Sequence, residues 1–362
     1  MQMKLLIPEY IQAIQPYTPG KPMEELEREY GIRDSIKLAS NENPLGPSPM
    51  AVKAAAGALQ NANRYPEGSG YYLTRKLSEN LNLSPGNIVL GNGSDDVIGM
   101  LTKAFLRPGD EAIMPQPSFL MYEILVQSVG AVPVPVPLSA FRIDLSAMAE
   151  KVTPKTRMIF LTHPNNPTGT ILLEKDFQFF IKRIPEEILI VIDEAYIEFV
   201  REPSSLNSMN YMGSDSRVVI LRTFSKAYGL AGLRVGYGLM AEDVGRLLQK
   251  IRQPFNVNSL AQAAALAALD DRDFFAKTLK LVHEGLDFMY AALDRMGVSY
   301  FPSQANFFLI RVGDADDVYE RLLREGVIVR SMTSYGFPDT IRLTVGLESE
   351  NMRFLKALET LL

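Results

Sequence analysis

Between residues 36 and 238 the chain alternates short, densely apolar runs with longer segments whose apolar residues recur every three or four positions. Ile188-Leu-Ile-Val-Ile192 is a continuous β-branched run of the kind a buried parallel strand shows, and Arg157-Met-Ile-Phe-Leu161 and Asn87-Ile-Val-Leu90 are strand-like in the same way. Further strands centre near Ala112, Val219 and Val235. Val97 to Leu106 has helical spacing and is stopped by Arg107-Pro-Gly-Asp110. The alternation predicts an α/β fold with a mostly parallel central sheet flanked by helices, and with ligands at the carboxyl ends of the strands.

Beyond about Pro254 the pattern changes. Ser259 to Leu269 and Phe274 to Met296 have helical spacing. After them Tyr300-Phe301, Asn306-Phe-Phe-Leu-Ile310, Val327-Ile-Val329 and Ile341-Arg-Leu-Thr-Val345 read as strands around a helix near Ala315 to Glu325. A smaller C-terminal α/β domain is expected. The predicted division is an N-terminal arm over 1–33, a large domain over 34–258 and a small domain over 259–362. The proline-rich opening, Pro8 to Pro22, has the character of an arm packing on a partner. Val132-Pro-Val-Pro-Val-Pro137, after a turn at Gly130, reads as an edge strand or connector, and the alanines of Ala261 to Ala268 as a packed helix.

Composition narrows the chemistry. With 362 residues, 47% of them hydrophobic, the chain can bury a large core. It has no cysteine, which excludes disulfides, thiolate catalysis and cysteine metal sites; only His163 and His283 offer imidazole, so no metal centre is expected. A net charge of −5 argues against a general binder of nucleic acid or anionic membrane. The apolar run Leu5-Leu-Ile7 is cut short by Pro8 and Glu9, and no run approaches membrane-spanning length, so a cytoplasmic protein is expected.

Candidate chemistry gathers just past the strand-like runs. Ser225-Lys-Ala-Tyr-Gly-Leu-Ala-Gly-Leu-Arg234 sets a lysine eight residues before an arginine amid small and apolar residues. A lysine amine attacks a carbonyl once desolvation or a nearby cation lowers its pKa, and pyridoxal phosphate offers an aldehyde to such an amine and a phosphate to the arginine. A solvated helix edge has the same composition. Asp193-Glu-Ala-Tyr196 closes the run Ile188 to Ile192. A buried Asp193 suits a protonated pyridine nitrogen and Tyr196 the ring hydroxyl, while a helix cap accounts for Asp193 equally well. Thr162-His-Pro-Asn-Asn-Pro-Thr-Gly169 is a rigid turn in which the Asn166 amide stands ready to donate to the same ring. Gly91-Asn-Gly-Ser-Asp-Asp96, opening a helix, offers backbone N–H groups and a helix dipole to an anion at Ser94 and Asp95, which are also ordinary capping residues.

Gly91 to Asp95, Asn166 to Gly169, Asp193 to Tyr196, Ser225 to Ala227 and Gly232 to Arg234, in this order, resemble the fold-type-I, class-II-like pyridoxal-phosphate-dependent aminotransferases. Phe224 to Tyr237, Ser40-Asn-Glu-Asn-Pro-Leu-Gly46 and Arg64-Tyr-Pro66 are similar in detail to the histidinol-phosphate aminotransferases, over nearly the whole chain. The resemblance implies a homodimer using pyridoxal 5'-phosphate. Lys226 would form the Schiff base and move the proton, and Asp193 would pair with the ring nitrogen. Asn166 and Tyr196 would bind the ring oxygen, and Ser94, Asp95, Ser225 and Arg234 the phosphate. Tyr65 would reach the phosphate of the neighbouring subunit's cofactor. Phe119 stands where the family most often stacks a tyrosine on the ring; stacking survives, a hydroxyl contact is lost, and Tyr122 is not assumed to replace it.

Substrate recognition is expected from Arg330, closing Gly326-Val-Ile-Val-Arg330, and from Arg342 in Thr340-Ile-Arg-Leu-Thr-Val-Gly346. A planar guanidinium fork binds a carboxylate or a phosphate monoester, and a second arginine favours the dianion. The resemblance implies Arg342 for both substrates, Arg330 mainly for the phosphate, and Tyr17 closing over the anion. It also implies transamination between L-histidinol phosphate and 2-oxoglutarate, giving imidazole acetol phosphate and glutamate in histidine biosynthesis. A threonine-phosphate decarboxylase or an aromatic amino-acid aminotransferase shares the cofactor motifs and differs only in the side-chain pocket. A non-catalytic protein that senses the cofactor would carry an appended DNA-binding module, and the residues ahead of Asn41 are too few and too rich in proline for one.

Overall fold

The computed structural model describes residues 7–17 and 20–361. Leu5 and Leu6 of the N-terminal apolar run, and Thr18 and Pro19 of the arm, lie outside the described residues. In chain order the strands are β1 (Ile36–Lys37), β2 (Ile88–Gly91), β3 (Glu111–Gln116), β4 (Val132–Pro137), β5 (Thr156–Thr162), β6 (Leu189–Asp193) and β7 (Val218–Thr223). They continue with β8 (Gly236–Leu239), β9 (Tyr300–Phe301), β10 (Phe307–Arg311), β11 (Val327–Ile328), β12 (Arg330–Ser331) and β13 (Thr340–Thr344).

Seven strands form the main sheet in the order β2-β8-β7-β6-β5-β3-β4. Every pairing from β7 to β4 is parallel, and β8 alone runs against its two neighbours. The alternation of side chains explains why the central runs are apolar throughout. Ile159, Leu161, Ile190, Ile192 and Ile220 enter the core on one face, while Met158, Phe160, Leu189, Val191, Val219 and Leu221 enter the core on the other. Helices cover both faces, so neither set meets water.

The Val-Pro repeat is the edge strand β4, paired with β3. Val132 donates its N–H to Asp110 O and Leu138 donates to Gln116 O, so the alternation puts the prolines where a backbone N–H would face outward.

Because β8 reverses direction, the carboxyl ends of β2 and β7 meet at its start: Gly91 and Thr223 both pair with Gly236. On the other side of β7 the carboxyl ends of β5 and β6 are level, with Thr162 opposite Asp193 and Asp193 opposite Leu221. The segments that follow β2, β3, β5, β6 and β7 therefore leave the sheet at one edge, with Ser94, Phe119, Asn166 and Lys226 three or four residues past a strand and Asp193 as the last residue of β6.

The C-terminal unit is a four-stranded antiparallel sheet, β12-β13-β10-β9, backed by the helices Arg272–Met296, Ala315–Arg324 and Glu348–Leu361. Ile36 and Lys37 pair in parallel with Val327 and Ile328, and Thr344 donates its N–H to Leu38 O. Residues 36–41 thus lie between strands of the C-terminal unit before the chain enters the large one. The helix Met23–Tyr30 of the arm packs Leu26 against Ala39, Leu323 and Ile328.

Candidate active site

Lys226 sits just past β7, and its buried ammonium donates to Ser40 O at 3.1 Å and lies 5.6 Å from the centre of the Tyr196 ring. Burial, reinforced by the Arg342 guanidinium, lowers its pKa from 10.5 to about 8. A much larger share of Lys226 is therefore neutral near physiological pH than of an exposed lysine.

Asp193, the last residue of β6, is buried, and burial raises its carboxyl to about 6. Two donors oppose that shift: Tyr122 Oη donates to Oδ2 at 2.7 Å, and the Ala195 N–H to Oδ1 at 3.1 Å. Tyr122 thus does not stand in for the hydroxyl missing at Phe119; it holds Asp193, from beneath a ring-on-ring stack with Phe160 at 4.7 Å. Phe119 packs edge-on against Tyr122, with 5.5 Å between centroids, and itself lines the cavity.

Asn166 and Tyr196 face the same space. Arg342 Nη1 donates to Asn166 Oδ1 at 2.5 Å, which leaves the amide NH₂ as the group available to an incoming acceptor. Tyr196 Oη accepts from Asn41 Nδ2 at 3.0 Å, so its own proton is available for donation.

The anion cradle is built at the meeting of β2, β7 and β8. The helix Ser94–Phe105 begins there, and Arg234 reaches it from a left-handed backbone position at φ 57°. Arg234 Nη2 lies 3.5 Å from the Asp95 carboxylate, so the side chain of Asp95 orients the arginine and an anion is left to the backbone N–H groups and Arg234. Two glycines permit this approach. Gly93 has φ +82°, and a Cβ on it would lie 2.7 Å from Arg234 Nη2; one on Gly236 would lie 2.6 Å from Ser94 N.

These groups line a cavity of about 290 Å³ that contains Ser94, Asp95, Phe119, Asn166, Asp193, Tyr196, Ser225, Lys226 and Arg234. A smaller one of about 110 Å³, sharing Phe119, Asn166, Tyr196 and Lys226, is closed by Tyr17, Arg330, Tyr335 and Arg342. Arg330 and Arg342 are direct cross-strand partners on β12 and β13. Arg342 is buried; its Nη2 donates to Ala39 O at 2.7 Å, and its Nε has no hydrogen-bond partner among the described residues.

Of the residues expected from sequence, the fold brings all but one to this site. Tyr65 is 82% exposed and stacks on Phe255 away from the cavity. His163, inside the Thr162 to Gly169 turn, has a structural role: its Nδ1 accepts the Leu172 N–H, and its Nε2 lies 3.2 Å from Leu206 O. Sequence reasoning missed the parts played by Tyr122, Ser40 and Asn41; the only signal for the last two was their place in the Ser40 to Gly46 motif.

A sequence profile of the family described as aminotransferase class I and II matches residues 33–358. The chain is 51% identical to the histidinol-phosphate aminotransferase of Desulfotalea psychrophila, over 98% of this chain and 95% of that one. It is 48% identical to histidinol-phosphate aminotransferase 1 of Nitrosococcus oceani, over 97% and 95%. The crystal structure of histidinol-phosphate aminotransferase from Sinorhizobium meliloti in complex with pyridoxal-5'-phosphate superposes with a TM-score of 0.90 at 26% identity, covering 99% of this chain and 98% of that one. Sequence and fold together place this chain in the class I and II aminotransferase family, among the histidinol-phosphate aminotransferases.

Proposed function

We propose that the protein transfers the amino group of L-histidinol phosphate to 2-oxoglutarate with pyridoxal 5'-phosphate, yielding imidazole acetol phosphate and glutamate, as a cytoplasmic homodimer in histidine biosynthesis. The observation that carries this reading is the union, in one cavity, of a lysine of lowered pKa, a buried carboxylate at a strand end and an anion cradle, with two arginines directly beyond them.

Features of this chain fit the cofactor. Gly93 and Gly236 let Arg234 and the Ser94 N–H come close enough together to serve one anion, and the buried Asp193 carboxyl is suited to a cationic ring nitrogen. Ser94, Ser225, Arg234 and the Asp95 backbone would hold the phosphate, Asp193 the ring nitrogen, Asn166 and Tyr196 the ring oxygen, and Phe119 a ring face. Pyridoxal phosphate supplies an aldehyde for amine exchange and a ring that draws in the electron pair left when the amine-bearing carbon loses its proton.

The chain's own part is positional and acid–base. Lys226 Nζ would take the proton from the amine-bearing carbon and give it back on the cofactor side; burial and the Arg342 guanidinium lower its pKa and so favour the neutral amine that accepts a proton. Asp193 keeps the ring partner cationic, and Tyr122 keeps Asp193 charged. Arg342, which lines the smaller cavity, binds the anionic end of either substrate through its fork; Arg330 adds charge for a phosphate monoester, and Tyr17 covers both.

The test is spectroscopic. Histidinol phosphate should convert the bound cofactor to its amine form faster than phosphothreonine or phenylalanine does, and 2-oxoglutarate should reverse the change. Release of carbon dioxide from phosphothreonine, or preference for phenylalanine, would overturn the substrate assignment. Lys226→Ala should bind cofactor and lose turnover, and normal transamination by that variant would defeat the role of Lys226.

A further inference from the structure

Three successive residues touch three side chains of the site. Ala39 O accepts from Arg342, Ser40 O accepts from Lys226, and the Asn41 side chain donates to Tyr196. The last contact has a direction fixed by its surroundings. The Asn41 backbone N–H donates to Thr344 Oγ1 at 2.9 Å, so the Thr344 hydroxyl proton is turned to Asn41 Oδ1, which it reaches at 3.1 Å. With Oδ1 occupied by a donor, the NH₂ end of the amide faces Tyr196 Oη at 3.0 Å. Asn306 Nδ2 donates to Asn41 O at 3.1 Å and anchors the residue from β10. Asn41 is 1% exposed and sits at φ 55°, a left-handed conformation that asparagine accepts far more readily than most residues.

A phenol oxygen that accepts a hydrogen bond from an amide directs its own O–H elsewhere. We propose that Asn41 is a positioning residue, which fixes the Tyr196 phenol as a donor toward the oxygen of the cofactor ring. This inference rests on the assignment of Tyr196 to that oxygen. Tyr196 stays protonated in this setting, because burial raises its pKa above the ordinary value. Thr344 lies two residues from Arg342 on β13, so the same strand that presents the anion-binding arginine also sets the Asn41 amide.

The experiment follows the pH midpoint at which the absorption of the cofactor-loaded protein changes. A donor to the ring oxygen competes with the proton that oxygen shares, so losing the donor lets the proton bind more tightly and moves the midpoint up. Tyr196→Phe should raise it by about one pH unit, the worth of one hydrogen bond to a charged oxygen. Asn41→Gly, which keeps the backbone conformation, and Thr344→Val should each raise it by part of that amount; Thr344→Ser should restore it. Asn41→Asp, which turns an acceptor toward Tyr196, should raise it as far as Tyr196→Phe does. In the Tyr196→Phe background Asn41→Gly should add nothing. If Tyr196→Phe moves the midpoint while Asn41→Gly and Thr344→Val leave it unchanged, the role of Asn41 is overturned and that of Tyr196 stands. A further shift from Asn41→Gly in the Tyr196→Phe background would also overturn it. An unmoved midpoint in Tyr196→Phe would remove the assignment of Tyr196 and this inference with it.

Discussion

Tyr122 donates its phenol proton to Asp193 Oδ2 at 2.7 Å, from a helix that begins just past β3 to the last residue of β6. The same oxygen of Tyr122 lies 3.0 Å from Thr162 Oγ1, and Thr162 is the register partner of Asp193 across β5 and β6. The carboxylate that faces the cavity is therefore supported from behind by a buried polar group that is itself satisfied. A lone buried carboxylate would protonate; this one has donors that favour its charged form.

Replacing Tyr122 by Phe removes such a donor and keeps the ring stacked on Phe160. In the cofactor-free protein the Asp193 carboxyl should then titrate above its present value of about 6. A hydrogen bond to a buried charge is worth about 1.5–3 kcal/mol, so the rise should be about one to two pH units. Carbon-13 NMR of the aspartate carboxyls gives the shift directly, and kcat of the loaded variant should fall about tenfold. An unchanged titration would show that Tyr122 only fills space.

Lys226 titrates near 8 in the cofactor-free site, chiefly from burial and then from the charge of Arg342. The rate at which pyridoxal phosphate attaches covalently to the protein should accordingly rise with pH through a midpoint near 8, well below the 10.5 of an exposed lysine. Arg342→Gln removes a cation that disfavours the protonated amine, so the midpoint should move up in that variant. Stopped-flow absorbance across a pH series measures both. A midpoint unmoved by Arg342→Gln would remove the arginine from the causes of the shift.

Glu198 carries a different liability. Its Oε2 is buried with no hydrogen-bond partner among the described residues, and burial raises its carboxyl from 4.5 to about 7 despite the nearby Arg222. An acid whose folded pKa is raised is favourable to folding while protonated, below 4.5, and that contribution is lost as pH rises through 7. Glu198→Gln abolishes the titration. Relative to the parent, the variant should gain stability between pH 4.5 and 7 and level off above, by about 3 kcal/mol in urea unfolding of the cofactor-free protein. A difference that does not vary with pH would assign Glu198 an ordinary exposed titration.

The central strands were legible because both faces of the main sheet are covered, which makes β5, β6 and β7 apolar at consecutive positions. Lys226, Asp193 and Asn166 were legible for a related reason: each follows such a run within a few residues, at the sheet edge where ligands bind. The contacts that tune them are long in sequence. Tyr122 and Asp193 are 71 residues apart, Asn41 and Tyr196 are 155, and Arg342 and Asn166 are 176. Neither periodicity nor a local motif records which distant side chain a fold will deliver. Asn41 also depends on a left-handed backbone position that asparagine adopts in many ordinary turns.

Tyr65 sets the last prediction, because it is the one expected site residue that the chain keeps out of its own cavity. An aromatic side chain that is 82% exposed and leans on Phe255, itself 42% exposed, is well placed to meet a second copy of the chain. In a two-fold dimer each site would then combine Lys226 of one subunit with Tyr65 of the other. Subunits carrying Tyr65→Ala and subunits carrying Lys226→Ala are each deficient alone. Mixed, they form heterodimers in which one site has both residues intact and the other has neither, so an equal mixture should recover about a quarter of the parental activity by random pairing. If Tyr65 served its own subunit's site, every site in the mixture would still lack one residue and nothing would be regained. Activity measured on co-refolded or co-expressed subunits distinguishes the two arrangements, and the absence of recovery in a preparation that is dimeric by sedimentation would place Tyr65 outside the partner's site.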